Sequence, residues 1–210
     1  EQLAKYSAEQ GAFLVHYSSD YVYPGNGTEP WKETSATGPL SVYGQTKLEG
    51  DQAIAQSGCE HLIFRTSWVY SARGNNFMKT MLRLAQSKPE LNIVADQIGA
   101  PTPARLIAQI TAMAIQSHIP NGLYHLAPRG ETSWHGFARE IFRLAKEQGE
   151  QLAMGPENTN PIPTSDYPTP AQRPLNSRMA LNKLETALNI QLPTWQDQLK
   201  LTLAEYLEQK

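Results

Sequence analysis

Tyr43 and Lys47 have the residue types and the spacing of a proton-transfer pair. Residues four positions apart lie on one face of an α-helix, so both side chains can point into one cleft. A nearby ammonium group favours the phenolate over the phenol and lowers a tyrosine pKa that starts near about 10. Such a phenol can work as an acid or a base at neutral pH. The pair alone is equally compatible with a solvated helix face.

Two serines precede this pair at the end of an apolar segment. Residues 13–17 read Phe-Leu-Val-His-Tyr, which favours a strand, and they are followed by Ser18 and Ser19. A hydroxyl at the carboxyl end of that strand completes a plausible trio with Tyr43 and Lys47. The alternative for Ser19 is a cap of the following turn.

Strands and helices alternate along the chain. Residues 1–10 read as the end of a helix that Gly11 terminates. Apolar patterns predict strands at 13–17, 61–65 and 122–126, and helices at about 41–57, 76–86, 104–117, 133–148 and 195–209. This alternation predicts an α/β fold with a parallel, doubly wound sheet. Six prolines between residues 154 and 174 predict an extended, stiff arm over a cleft.

The composition excludes several classes of partner. With 210 residues, 40% hydrophobic and 18% charged, the chain suits a globular body of one large or two small domains. A net charge of −2 gives no basic footprint for nucleic acid. No apolar run approaches the about 18 residues of a membrane helix, so we expect a cytoplasmic protein without a membrane partner. Cys59 is the single cysteine, and the five histidines lack zinc-ligand spacing.

Six stretches of the sequence resemble, in order, the extended short-chain dehydrogenase/reductase family and, within it, the dTDP-4-dehydrorhamnose reductases. Together they span nearly the whole chain, at residues 18–23, 39–49, 65–70, 74–77, 96–102 and 168–178. The resemblance implies reduction of the 4-keto group of dTDP-4-dehydro-6-deoxy-L-mannose to dTDP-L-rhamnose, with NADPH or NADH, for polysaccharide biosynthesis. It also implies a Rossmann-like sheet and a smaller C-terminal lobe that binds the sugar nucleotide.

The family pattern assigns roles to the trio. It implies that Tyr43 is the acid, that Lys47 lowers its pKa and holds the cofactor ribose, and that Ser19 donates a hydrogen bond to the reacting oxygen. Ser18, with Tyr43 and Lys47, is expected in the cofactor site.

The family pattern also implies a substrate wall made of Ser19, Asp20, Tyr21, Trp68 and Arg173. The 4,6-dehydratases that the chain resembles have Asp-Glu where it has Asp20-Tyr21, so the second acid needed for dehydration is absent. The alternative for Trp68 is a core indole. Arg173 could bind phosphate or pair with a carboxylate that pins the proline-rich arm.

The resemblance divides the chain into two parts. Residues 1–67 are expected to be the remainder of a dinucleotide-binding domain, and residues 68–210 mainly a substrate lobe, with 104–126 returning to the sheet. No glycine-rich pyrophosphate-binding turn occurs in the sequence. The chain therefore resembles the C-terminal portion of the family, and we expect these 210 residues alone to be inactive and to bind the cofactor weakly.

The sequence gives one indication about a magnesium site and about the oligomeric state. Some members of the family dimerise through magnesium held by glutamates, and one such position falls at Arg105 here. Because arginine cannot ligate a cation, a magnesium-bridged dimer is not expected and the oligomeric state stays open.

Two other functions are compatible with the resemblance. One is the non-catalytic regulatory subunit of methionine adenosyltransferase, which is similar across this region and acts by binding its partner enzyme. The other is a reductase or epimerase of a different nucleotide sugar. Intact Ser19, Tyr43 and Lys47 favour the reductase.

Overall fold

The structure, a computed structural model, describes residues 1–209. The helices are α1 (Gln2–Gln10), α2 (Val42–Gln56), α3 (Phe77–Ala85), α4 (Ala104–Gln116), α5 (Trp134–Glu147), α6 (Asn182–Leu188) and α7 (Trp195–Leu207). The strands are β1 (Leu14–Ser19), β2 (His61–Thr66), β3 (Val69–Tyr70), β4 (Leu91–Val94), β5 (Ile98–Gly99), β6 (Thr102–Pro103), β7 (Gly122–His125), β8 (Thr132–Ser133) and β9 (Thr159–Ile162). Within residues 1–209, no helix is both long enough and apolar enough to cross a membrane.

The chain folds into two compact units. The first contains Glu1–Ser67, Ile110–Ala127 and Pro170–Gln191; the second contains Trp68–Gln109, Pro128–Thr169 and the described residues from 192 onward. Residues 104–109 lie in the second unit, and residues 170–191 lie in the first. Backbone pairing explains the latter, because Asn176 N–H donates to Gly25 O and Trp31 N–H donates to Arg178 O.

A parallel sheet organises the first unit. Its strand order is β1-β2-β7, and both pairs of neighbours are parallel. α2 connects β1 to β2 and packs against both strands. The α/β class and the parallel sheet predicted from the sequence are therefore confirmed.

Local signals in the sequence explain where the helices of the first unit begin and end. Ser41 caps α2, its hydroxyl accepting the Gly44 N–H at 3.2 Å. Gly11 ends α1 in the left-handed conformation with φ 61°, which glycine adopts without steric cost. α1 buries Ala4 against a small cluster with Ile54 and Ile63.

The core of the second unit lies between α3, α5 and α7. Phe137, at its centre, packs on the rings of Tyr70, Phe77 and Trp195. Around it the unit has three two-stranded sheets: the parallel pairs β3-β6 and β4-β9, and the antiparallel pair β5-β8.

Part of the proline-rich segment pairs with another strand, which was not expected. Residues 159–162 are extended, as predicted, and form strand β9, in which Pro161 lies opposite Ile93 of β4. Proline removes a ladder donor, yet a strand with one free edge tolerates it. The run of prolines hid this strand, in which Thr159, Asn160 and Ile162 supply the remaining pairing.

His125, at the end of β7, is buried among polar partners. Its Nδ1 lies 3.1 Å from Ala180 O, and its Nε2 lies 2.6 Å from the Tyr23 hydroxyl. Burial lowers the pKa of His125 to about 3, and the Ala180 carbonyl opposes this only in part. The ring is therefore neutral, with Nδ1 donating and Nε2 accepting.

This burial predicts a loss of stability in acid. Because the folded-state pKa of His125 is depressed, its stabilisation is present above about pH 6.5 and is lost as the pH falls towards about 3. His125→Asn keeps a donor for Ala180 but cannot gain a proton. We compare the unfolding free energy of the wild type with that of His125→Asn. The difference in favour of the wild type should be smaller by about 2 kcal/mol at pH 5 than at about pH 7.

Urea unfolding at both pH values measures this difference. His118→Asn is the matched control, because His118 is exposed and its left-handed backbone (φ 48°) also suits asparagine. An advantage that is equal at both pH values would show that His125 does not titrate as its burial requires.

Candidate active site

The carboxyl end of β1 and the first turns of α2 meet in the first unit. After β1 the chain makes a 3₁₀ turn at Asp20–Val22, which packs against α2. The Tyr21 and Tyr43 rings contact edge to face, with centroids 5.6 Å apart at 87°. The structure thus brings together the serine-containing strand end and the Tyr-x-x-x-Lys helix.

Tyr43 and Lys47 lie on the same face of α2. The Lys47 Nζ is 5.9 Å from the centre of the Tyr43 ring and donates a 2.9 Å hydrogen bond to Tyr17 O. Tyr43 is 53% exposed, so its ring is open to solvent. This arrangement is the geometry that the spacing predicted.

The Ser19 hydroxyl is held by its neighbours in the 3₁₀ turn. It accepts the Tyr21 N–H and donates to Asp20 Oδ1, each at 3.2 Å. The turn-cap alternative is therefore present in the structure. Because both bonds are local, rotation of the hydroxyl away from Asp20 is all that frees its proton for another acceptor.

Asp20 is enclosed at the end of β1. The residue is 2% exposed, and its Oδ2 is buried without a well-formed hydrogen bond, although the Ser177 hydroxyl lies near enough to favour the charged form. Burial raises the pKa of Asp20 to about 6, against the opposing effect of the Ser177 and Ser19 hydroxyls. A direct contact of Asp20 with a sugar hydroxyl stays a prediction. Because the carboxylate is buried, its hydrogen bond from Ser19 favours a role in orienting the Ser19 hydroxyl.

The Ser18 side chain is buried and directed at α2. Its buried hydroxyl donates a 2.9 Å hydrogen bond to Asp51 Oδ2. A cofactor contact by Ser18 would therefore come from its backbone, and its predicted place in the cofactor site stays a prediction.

Arg173 is placed beside Tyr21 by a close approach of two backbones. Burial raises the pKa of Tyr21, and Asp20 adds to this, whereas the positive charge of Arg173 lowers it. Pro174 packs on Gly25 so closely that a Cβ at Gly25 would lie 2.3 Å from Pro174 Cβ. The Asn176 amide donates to Asn26 O and Glu29 O, so it pins this segment.

Trp68 belongs to the second unit and has a backbone conformation that is uncommon for tryptophan. Its φ is 48°, in the left-handed region. Its ring stacks on Trp134 with centroids 3.9 Å apart, and Trp134 Nε1 donates to Gln97 Oε1 at 3.0 Å. Both indoles are partly exposed, so Trp68 is not a core indole. Its predicted contact with the sugar stays a prediction.

Sequence reasoning missed several residues that build the site. Gly44, inside a helix where glycine is costly, was a detectable signal of close backbone approach. Arg65, in the apolar strand 61–66, was another, because a buried arginine needs an acidic partner. That partner, Asp51, lies four residues after Lys47 on the same helix face. Trp134 carried no signal beyond its aromatic type.

The described part of the chain contains no cluster of metal-ligating side chains. Within residues 1–209 no group of three or more His, Cys, Asp or Glu residues is arranged to hold an ion. Arg105 forms an ion pair with Glu205.

The contact between Gly44 and the Tyr21 backbone is open to a stability test. A Cβ at Gly44 would lie 2.2 Å from Tyr21 O, so Gly44→Ala forces α2 away from the 3₁₀ turn. We expect a loss of about 1–3 kcal/mol in unfolding free energy, the typical cost of overpacking. Gly50→Ala is the matched control on α2, because its Cβ would find its nearest neighbour at 3.7 Å. There we expect a gain of about 0.5–1 kcal/mol. Urea unfolding measures both, and equal effects would contradict the close contact.

The burial of Asp20 makes a second prediction. Because its folded-state pKa is raised, folding is favoured below about pH 4 and this advantage is lost as the pH rises through about 6. Asp20→Asn should therefore gain about 3 kcal/mol of unfolding free energy at about pH 7.5 and only about 1 kcal/mol at about pH 4.5. Asp166→Asn, at an exposed site, should show no such trend. A gain for Asp20→Asn that does not depend on pH would refute the raised pKa.

Comparisons with known proteins identify the family of the chain. A family model described as "RmlD substrate binding domain" matches residues 1–208. The chain is 50% identical to the dTDP-4-dehydrorhamnose reductase of Shigella flexneri over 209 residues, which are 98% of this chain and 69% of that protein.

Two solved structures share the fold. A dTDP-4-dehydrorhamnose reductase from Bacillus anthracis in complex with NADP superposes with a TM-score of 0.86 at 34% identity, covering 97% of this chain and 69% of that one. One from Clostridium acetobutylicum gives a TM-score of 0.88 at 34% identity, covering 99% and 70%. With the family model and this level of identity over nearly all of its length, the chain belongs to the dTDP-4-dehydrorhamnose reductase family.

Proposed function

We propose that this protein reduces the 4-keto group of dTDP-4-dehydro-6-deoxy-L-mannose to give dTDP-L-rhamnose, with NADPH or NADH as the reductant. The observation that carries the proposal is the placement of Tyr43 and Lys47 on one face of α2, next to the strand end that bears Ser19. Its relatives from Shigella flexneri and Bacillus anthracis are named for this reaction.

The chemistry of the donor set fits the ribose and nicotinamide end of such a cofactor. The Tyr43 ring is exposed, and Tyr17 O accepts one of the three N–H bonds of the Lys47 ammonium. We assign Tyr43 and Lys47 to hold the ribose hydroxyls. When bound, the cofactor supplies the hydride. The relative from Bacillus anthracis was solved in complex with NADP.

Tyr43 is the proton donor in this proposal. As charge develops on the substrate oxygen, its hydroxyl gives up a proton to that oxygen. The Lys47 ammonium stabilises the phenolate that remains, because an opposite charge nearby favours the ionised form. The Ser19 hydroxyl, rotated away from Asp20, donates a hydrogen bond to the same oxygen.

We propose that the two units divide the remaining work. The first, with the Tyr-x-x-x-Lys helix, belongs to the dinucleotide-binding domain. The second mainly binds the sugar nucleotide, and Trp68 offers an aromatic face for it. Arg173 offers a planar donor set for a phosphate. A cytoplasmic location fits a chain whose single cysteine needs no oxidising compartment.

The alternatives are less well supported. A regulatory subunit of methionine adenosyltransferase would not need Ser19, Tyr43 and Lys47 together, and the relatives reported above are named as reductases. Dehydration would need a second acid where Tyr21 stands. A different nucleotide sugar is the remaining alternative, and it is an outcome of the test below.

The test follows oxidation of NADPH by the protein expressed from its complete gene. The substrates are dTDP-4-dehydro-6-deoxy-L-mannose and its UDP and GDP counterparts. Tyr43→Phe keeps the ring against Tyr21 but removes the proton donor. We expect kcat with the dTDP sugar to fall by about 100-fold or more, because general acid catalysis contributes about that much.

Tyr6→Phe is the matched control, because Tyr6 is 62% exposed on α1 and lies outside the proposed site. Its kcat should equal that of the wild type. Faster turnover of a UDP or GDP sugar would change the substrate assignment. Full activity of Tyr43→Phe would contradict the proposed role of Tyr43 as the proton donor.

A further inference from the structure

A row of buried polar side chains crosses the sheet of the first unit. Ser18 of β1 lies opposite Arg65 of β2, and Arg65 lies opposite His125 of β7. All three are less than 5% exposed. Such a row is costly inside a parallel sheet, whose strands are normally apolar on both faces.

Asp51 of α2 reaches this row and joins it. Its Oδ2 accepts a 2.9 Å hydrogen bond from Ser18 Oγ and a 3.0 Å hydrogen bond from Arg65 Nε. On its other side Arg65 donates to the Tyr23 hydroxyl at 2.8 Å, and Tyr23 contacts His125. The ion pair thus has polar partners at both ends.

Stability alone is a weak reason for this ion pair. The Asp51 and Arg65 side chains are each 5% exposed, so both charges are removed from water. The cost of that removal is often as large as the attraction, and apolar residues of similar volume often stabilise as well. An orienting role is the stronger reason, since each partner is fixed by directional bonds.

The bonds hold α2 to the end of β1 at two successive helical turns. Lys47 Nζ donates to Tyr17 O, and one turn later Asp51 accepts from Ser18. Ser19 is the next residue of β1. Together with the contact of Gly44 on Tyr21, these two bonds set the axial position of Tyr43 and Lys47 relative to Ser19. Arg65 fixes the carboxylate that makes the second bond.

We propose that Asp51 and Arg65 are positioning residues for the reduction. Their ion pair holds α2 in the register that directs Tyr43, Lys47 and Ser19 at one substrate oxygen, although neither residue touches the reacting atoms. The inference rests on the proposed function and adds two residues that act through others.

The first test compares Asp51→Asn with Glu49→Gln in the protein expressed from its complete gene. Both changes remove one negative charge from α2, but Glu49 is exposed and accepts a hydrogen bond from Gln45 on the same helix. We expect Asp51→Asn to lower kcat by about 100-fold, as a misplacement of about 1 Å does, with little change in KM for the sugar nucleotide. Asp51→Glu, which keeps the charge, should recover most of kcat. Glu49→Gln should match the wild type.

The second test separates positioning from stability. Asp51→Asn leaves the Arg65 charge buried without its partner, so it could fail to fold. The double variant Asp51→Leu with Arg65→Met replaces both charges by apolar side chains and should keep the wild-type urea midpoint. We expect its kcat to stay low, because the bond to Ser18 is missing.

The outcomes distinguish this inference from the proposed function. A wild type without activity on any of the three sugar nucleotides overturns the proposed function and this inference with it. An active wild type together with a double variant of normal kcat overturns the positioning role alone. A folded double variant with low kcat and an unchanged KM for the sugar nucleotide supports it.

Discussion

The contact between Gly44 and the backbone of Tyr21 is the constraint on which the site depends. Only a residue without a side chain lets α2 approach the turn after β1 this closely. The approach brings the Tyr43 ring onto Tyr21 and Lys47 within reach of Tyr17 O. Parallel strands end at one edge of the sheet, so a helix that begins there can present its first turn to the serine that ends β1.

The Ser19 and Asp20 pair shows how burial controls a hydroxyl in this protein. A carboxylate enclosed at the end of a strand takes the serine proton as its hydrogen-bond partner. Because burial also raises the pKa of Asp20 to about 6, that carboxylate holds its charge weakly near neutrality. In the proposed reaction the serine hydroxyl would be shared between the carboxylate and the substrate oxygen, and the balance between them would depend on protonation of Asp20.

Much of this architecture follows from local signals in the sequence. Gly11 and Ser41 mark helix ends correctly, and the spacing of Tyr43 and Lys47 predicts their common face. Long-range pairing is what the sequence conceals. Residues 170–191 join the first unit through backbone hydrogen bonds that no periodicity encodes, and Pro161 lies in a strand because the free edge of β9 tolerates it. The partnership of Asp51 with Arg65 depends on strand order, which composition does not reveal.

The left-handed backbone of Trp68 limits which residues can replace it. Glycine or asparagine would suit a φ of 48°, but neither offers a ring to stack on Trp134. Phenylalanine or tyrosine would keep part of the stacking while bearing the same backbone strain. An aliphatic side chain would bear the same strain without any stacking on Trp134. A substitution that keeps the stacking on Trp134 must therefore be aromatic and must bear the same backbone strain.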